Sequence, residues 1–187
     1  MEYTSQQIQH SFGILFLNVA ISVAVGSILS EIAYLSNIPL SYHGFIWIGV
    51  FTLVFGVQFK RFKLIFPLIR HRMKKSTSWP ISAKVINGIC WSLPFVLIVV
   101  FPEFTQYLIL LGIGLGNLST FVFLKKFSGL GNIEQLLVGI ISIVMLPVAI
   151  EANSLVLTEH QDTEVLLSRI FISMAYATGG FYALLKK

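Results

Sequence analysis

Carboxylates and one arginine stand near the ends of long apolar segments, and these are the side chains best suited to chemistry. They are Glu31, Glu103, Glu151, Glu164 and Arg169. A cation inside an apolar segment must snorkel towards water or pair with an acid, and Glu31 or Glu151 is expected at a depth comparable to that of Arg169. The pattern predicts a structural ion pair or a snorkelling anchor. The alternative hypothesis makes Arg169 a clamp for an anionic substrate group, or makes the carboxylates a port for cations.

The acidic run at residues 159–164 contains Glu, His, Asp and Glu, which are potential metal ligands. It lacks the spacing and the glycine turn of a calcium loop, and no CxxC or HxxxH pattern accompanies it. No histidine falls in the middle of an apolar segment, where it could ligate a buried haem. We therefore predict a solvated acidic loop, with no metal and no cofactor.

Enzymatic chemistry would need a nucleophile beside its base, or paired carboxylates. The apolar segments contain serines but neither histidine nor aspartate at depth, and the chain has no GxSxG sequence. The residues favour a function other than catalysis. Catalysis at a membrane surface by Glu31, Glu151, His160 and Asp162 is the alternative.

The elements that must position these residues are long, apolar and closely spaced. The chain has 187 residues, of which 56% are hydrophobic and 11% charged, with a mean hydropathy of +0.84. A helix that crosses a bilayer needs about 20 mostly apolar residues. Six segments approach that length, at residues 12–34, 43–59, 85–101, 105–124, 133–150 and 165–185. We expect an all-α polytopic membrane protein, with residues 1–187 forming one bundle of six transmembrane helices.

The distribution of basic residues predicts the orientation of the bundle. Apart from Arg169, every Lys and Arg lies in 60–84, just after the fourth segment, or at the C-terminus. The opposite connectors, 35–42, 102–104 and 151–164, contain neither residue. Because short cytoplasmic loops accumulate Lys and Arg, both termini and the basic loop 60–84 are expected in the cytoplasm, and the acidic loop 151–164 outside it. The expected location is a plasma (inner) membrane.

The basic loop also has an amphipathic pattern. Phe62, Ile65, Phe66, Ile69 and Met73 recur at spacings of three and four, although Pro67 could interrupt a helix here. This pattern predicts an interfacial helix that binds anionic lipid headgroups, and the alternative is ordinary topology-determining charge without a specific lipid site. The candidate headgroup residues are Lys60, Arg61, Lys63, Arg70, Arg72, Lys74 and Lys75. Because the charges border apolar segments, nucleic acid is not an expected partner.

Small and polar residues line one face of the first segment. Asn18, Ser22, Gly26 and Ser30 recur every four residues, so this face is expected to pack against other helices. The alternative is a hydrated path or substrate pocket at Asn18 and Ser22. In the fourth segment, Gly112 and Gly116 predict a second close helix contact.

Two functional classes remain. One is a small transporter, channel or membrane-embedded substrate-binding subunit, with a pathway at Asn18, Ser22, Glu31, Glu151 and Arg169. The other is a non-catalytic accessory or scaffold subunit of a larger membrane complex. A transporter should hold a water-accessible cavity, whereas a scaffold should pack tightly there and present a contact face to other membrane subunits or to a second copy.

Overall fold

The structure is a computed structural model, and it describes residues 4–75, 78–129, 131–156 and 161–186. Over these residues the chain forms helices and no strands. The α-helices are α1 (Ser5–Leu35), α2 (His43–Val57), α3 (Phe59–Lys75), α4 (Ile81–Val100), α5 (Thr105–Ser128), α6 (Ile133–Val156) and α7 (Gln161–Leu185). Two short 3-10 helices, Leu40–Tyr42 and Pro102–Phe104, precede α2 and α5.

The helices pack in an order that differs from their order in the chain. α1 packs mainly on α7, α7 on α6, α6 on α5 and α5 on α4, and α5 also contacts α7. α2 packs on the outside of α1. α1 and α7 cross closely at two glycines, since a Cβ atom added to Gly13 would lie 3.0 Å from the carbonyl oxygen of Gly180. The start of α1 and the end of α7 therefore lie at the same end of the bundle.

Five of the helices are long and apolar enough to cross a membrane, or up to six if α2 and α3 form one bent span. The predicted all-helical bundle is thus confirmed over the described residues, and its helices have the length and composition of membrane spans, whereas the count of six depends on the α2–α3 pair. These two helices meet at 91°. With 15 residues, α2 is about 22 Å long, which is shorter than the roughly 30 Å hydrocarbon layer.

Helices also occupy much of the two predicted loops. α3 covers most of the basic segment, and Pro67 lies inside this helix without ending it. α6 continues to Val156 and α7 begins at Gln161, so both extend into the acidic segment. Residues 157–160, with Glu159 and His160, lie outside the described residues, as do the side chains of residues 161–163 with Asp162.

The small and polar face of α1 packs against other helices, as predicted. Asn18, Ser22 and Ser30 are buried, and a Cβ atom added to Gly26 would lie 2.6 Å from the ring of Trp47 in α2. Asn18 Nδ2 donates to the carbonyl oxygen of Ile14 at 3.0 Å and lies 3.4 Å from Gln58 Oε1. These contacts tie α1 to the end of α2.

The predicted glycine face of α5 is confirmed as well. A Cβ atom added to Gly112 would lie 2.8 Å from the ring of Phe95, and one added to Gly116 would overlap the ring of Trp91. Both rings belong to α4. The two glycines therefore admit aromatic side chains from α4, which brings the polar residues of α4 and α5 together.

Candidate functional site: a cavity between α1 and α4

A cavity of about 590 Å³ lies between α1 and α4. α3, α5, α6 and α7 also contribute residues to its lining. The aromatic part of its lining is Phe12, Phe16, Trp79, Trp91 and Tyr176. The polar part is Arg72, Lys84, Asn87, Asn117, Thr120 and Gln135. The cavity is thus largely apolar, with a few polar groups, as is usual for a small-molecule site.

The cavity extends from the basic end of the bundle towards its middle. Arg72 comes from the last turns of α3 and Lys84 from the first turn of α4, both at the basic end. Asn117 and Trp91 lie near the centres of α5 and α4. A guest could therefore place an apolar body in mid-bundle while a polar group stays near the basic end.

A hydrogen-bond network fixes the polar wall between α4 and α5. The hydroxyl oxygens of Ser119 and Thr120 lie 2.8 Å and 3.0 Å from Asn87 Oδ1. Trp91 Nε1 donates to Thr120 Oγ1 at 3.1 Å. Thr120 Oγ1 also lies 2.7 Å from the carbonyl oxygen of Gly116. Because these polar groups are held by one another, they form a prearranged surface for a guest.

Asn117 provides a second polar point, deeper in the bundle. Its side chain is buried, and its Nδ2 atom donates to the carbonyl oxygen of Ile113 at 2.9 Å and lies 3.4 Å from the Tyr176 hydroxyl. The Tyr176 ring packs edge-on against Phe16, with 5.3 Å between centroids. α5, α7 and α1 thus meet around one polar group in an apolar setting.

An ion pair closes the basic end of the cavity. Arg72 Nη1 donates to Glu134 Oε1 at 2.6 Å, and the side chains are 5% and 0% exposed. The Arg72 guanidinium carbon also lies 4.0 Å from the centroid of the Phe12 ring. Glu134 is in the first turn of α6, where the helix dipole favours an acid. The pair therefore joins α1, α3 and α6 at one point.

Other buried polar atoms around this pair have no hydrogen-bond partner within the described part of the chain. They are Arg72 Nε and Nη2, Asn132 Nδ2 and Oδ1, Glu134 Oε2 and Gln135 Oε1. Buried polar groups in proteins nearly always find a partner in protein, water or ligand. This cluster offers both donors and acceptors, so it suits hydration or the polar end of a guest.

The predicted pathway residues lie elsewhere. Asn18 and Ser22 are buried against other helices, and α1 lines the cavity instead with Leu15, Val19 and its phenylalanines. Glu31 is half-buried near the opposite end of α1, and Glu151 is exposed. The guanidinium carbon of Arg169 lies 5.3 Å from the centroid of the Trp47 ring, which gives this cation an aromatic neighbour.

The predicted headgroup residues divide into two groups. Lys60, Arg61, Lys63, Arg70 and Lys74 are exposed along α3, and the side chain of Lys75 lies outside the described residues. Arg72 instead points into the bundle and is 4% exposed. The predicted apolar face divides similarly, since Ile65 and Ile69 are buried while Phe66 and Met73 are exposed.

Sequence reasoning missed Glu134, Asn87 and Asn117. A signal for Glu134 was available, because it is an acid at the second position of an apolar segment and follows the basic pair Lys125 and Lys126. Asn87 and Asn117 carried a weaker signal, as single amides in apolar helices. Only the packing shows that they line the same cavity.

A second buried polar contact lies at the opposite end of the bundle. Gln106 Nε2 donates to Glu164 Oε2 at 2.6 Å, and the two residues are 3% and 8% exposed. This bond joins α5 to α7. Neither residue lines the cavity, so the bond serves to hold the two helices together.

Within the described residues, no group of three or more His, Cys, Asp or Glu side chains could hold a metal ion. No protein family, curated protein or solved structure matches this chain.

Proposed function

We propose that this protein is an integral membrane protein of the transporter or substrate-binding class, and that it takes a small amphiphilic molecule into the cavity between α1 and α4. The supporting observation is the cavity itself, at about 590 Å³ with aromatic walls and the fixed amides of Asn87 and Asn117. Sites for small molecules usually measure roughly 300–1,000 Å³ and combine apolar walls with a few polar groups.

The lining limits the chemistry of the guest. The aromatic rings suit a flat or alkyl body, and Asn87, Asn117 and Gln135 suit hydroxyl, carbonyl or amide groups. Two cationic side chains, Arg72 and Lys84, contribute to the lining, and no carboxylate among the described residues does. A neutral or singly anionic amphiphile therefore fits better than a cation.

The proposal includes an orientation. The first turns of α1 and the last turns of α7 are neighbours, and the basic residues of α3 lie at the same end of the bundle. The positive-inside rule supports a cytoplasmic location for this end. In that orientation α2 and α3 act as one bent element, both termini are cytoplasmic, and the cavity faces the cytoplasmic half of a plasma membrane.

A scaffold or accessory subunit is the second candidate, and α2 supports it. Gly49 and Gly56 are seven residues apart on one side of α2, and a Cβ atom added to either would meet no atom within 4 Å, so the backbone of α2 is accessible there. Small residues in membrane helices allow another helix to approach closely. A partner helix could therefore pack on α2.

Two matched variants separate the candidates. Gly88 lines the cavity and Gly49 lies on α2, and a Cβ atom at either position has open space around it. Gly88→Trp should fill the cavity, whereas Gly49→Trp should obstruct only the surface of α2. Native mass spectrometry of protein purified in nanodiscs would detect a retained small molecule or partner subunit.

The cavity proposal requires a small molecule that is retained by the wild type and by Gly49→Trp but lost from Gly88→Trp. Equal retention by both variants would place the molecule elsewhere and contradict it. A partner subunit that is lost only from Gly49→Trp, with no retained small molecule, would support the scaffold instead.

A further inference from the structure

A second apolar groove lies in the elbow where α2 meets α3. α2 ends at Val57, α3 begins at Phe59, and the helix axes differ by 91°. The groove has a volume of about 620 Å³. We define the elbow groove by Phe55, Phe59, Phe62, Lys63 and Phe66, which lie along its wall.

Aromatic rings make this groove apolar and accessible. The Phe55 and Phe62 rings pack edge-on with 4.9 Å between centroids, which joins the two helices. Phe59 and Phe66 are 66% and 55% exposed. Apolar side chains this exposed next to a membrane-spanning helix indicate contact with lipid chains.

The helix that forms the floor of this groove is strongly basic. α3 contains no Asp or Glu, and Lys60, Arg61 and Lys63 cluster at its first turns, where all three are exposed. The charge of Arg72 is used by Glu134 on the inner side of the helix. Lys63 lines the groove and Lys60 lies one helical turn before it on α3, so this part of the groove favours an anion.

We propose that the elbow groove binds one anionic glycerophospholipid. Its acyl chain lies along the phenylalanines, and its phosphate is held by Lys60 and Lys63. The right angle supports this placement, because α2 runs into the bilayer while an amphipathic α3 lies along its surface, so the elbow spans the boundary between headgroups and chains. This site does not share a lining residue with the cavity between α1 and α4.

The test uses full-length protein in nanodiscs that contain equal amounts of phosphatidylglycerol and phosphatidylcholine with the same chains. Native mass spectrometry after release should show one retained phosphatidylglycerol per chain. Each basic residue near a surface favours anionic lipid by about fivefold. Lys60→Gln/Lys63→Gln should therefore lower the phosphatidylglycerol to phosphatidylcholine ratio roughly 20- to 30-fold.

The matched control is Lys125→Gln/Lys126→Gln, which removes two adjacent exposed lysines from the end of α5. It should leave the ratio unchanged. An equal fall in this control would mean that the attraction is diffuse and would overturn the proposal.

A second pair of substitutions tests whether the exposed phenylalanines hold the acyl chain. Phe59→Ala/Phe66→Ala changes only exposed rings, so the protein should fold, which circular dichroism would verify. This variant should reduce retention of both lipids while leaving their ratio intact. Unchanged retention of both lipids would overturn the lipid assignment. A wild-type dimer that this variant abolishes would also overturn it, and would assign the groove to a second copy of the chain.

Discussion

The buried ion pair between Arg72 and Glu134 should make the effects of replacing these two residues on stability strongly coupled. The two side chains are 5% and 0% exposed with 2.6 Å between nitrogen and oxygen. Removing one member of such a pair leaves a charge without its partner and costs about 3–5 kcal/mol. Arg72→Met exchanges the guanidinium contact with the Phe12 ring for a thioether contact of comparable strength, so this ring adds little to the cost.

The perturbation is a double-mutant cycle of Arg72→Met, Glu134→Leu and the combination. Each single change should lower the free energy of unfolding by about 3–5 kcal/mol. The double variant should lie within about 1 kcal/mol of the wild type, because apolar side chains of similar size replace a buried ion pair at little net cost. Glu134→Gln should be milder than Glu134→Leu, since the amide oxygen can still accept from Arg72.

Reversible unfolding by increasing the mole fraction of dodecyl sulfate in mixed micelles would measure these free energies. Arg70→Met is the matched control, because Arg70 is an exposed cation on the same helix and should change stability by less than about 0.5 kcal/mol. If the double variant loses the sum of the two single losses, the residues are not coupled. If either single variant costs less than about 1 kcal/mol, the burial argument fails.

Three further predictions concern other contacts. Gly116→Ala should destabilise the protein by about 1–3 kcal/mol, because its Cβ atom would overlap the Trp91 ring. Gly49→Ala is the control and should not destabilise the protein, because a Cβ atom at Gly49 has open space around it. Equal melting temperatures of the two variants would contradict this packing. Gln106→Leu should cost about 1–3 kcal/mol in the same micelle assay by leaving the buried Glu164 oxygen without its 2.6 Å donor; a loss below about 0.5 kcal/mol would argue against that bond. Arg169→Gln and Trp47→Leu should show a coupling energy of about 0.5–2 kcal/mol in a double-mutant cycle, and strict additivity would show that the two side chains do not interact.

The helical bundle could be predicted from the sequence because hydrocarbon imposes a simple requirement on every apolar segment. A backbone without water must satisfy its own hydrogen bonds, so a run of apolar residues becomes a helix. The small face with Ser22 and Gly26 was predictable for a related reason, since such residues allow close approach between helices. The bend at Gln58 was harder to predict, because the apolar character of α2 continues into Phe59.

The cavity could not be predicted, because it depends on which helices become neighbours. α1 and α4 are distant in sequence, and their separation is set by how α5 and α7 pack between them. The row of polar residues in α1 suggested a pathway at Asn18, yet the Asn18 side chain contacts Gln58 at the end of α2. Isolated amides such as Asn87 form no periodic pattern, so only the tertiary structure joins them to Thr120.

α3 links the two proposed sites because it contributes residues to both of them. Ile69 and Arg72 face the bundle, and Arg72 borders the cavity between α1 and α4. Phe59, Lys63 and Phe66 line the elbow groove, roughly a third of a turn away around the helix. A displacement of α3 at the elbow would reach Arg72 only to the extent that the helix stays straight through Pro67, which lies between Phe66 and Arg72.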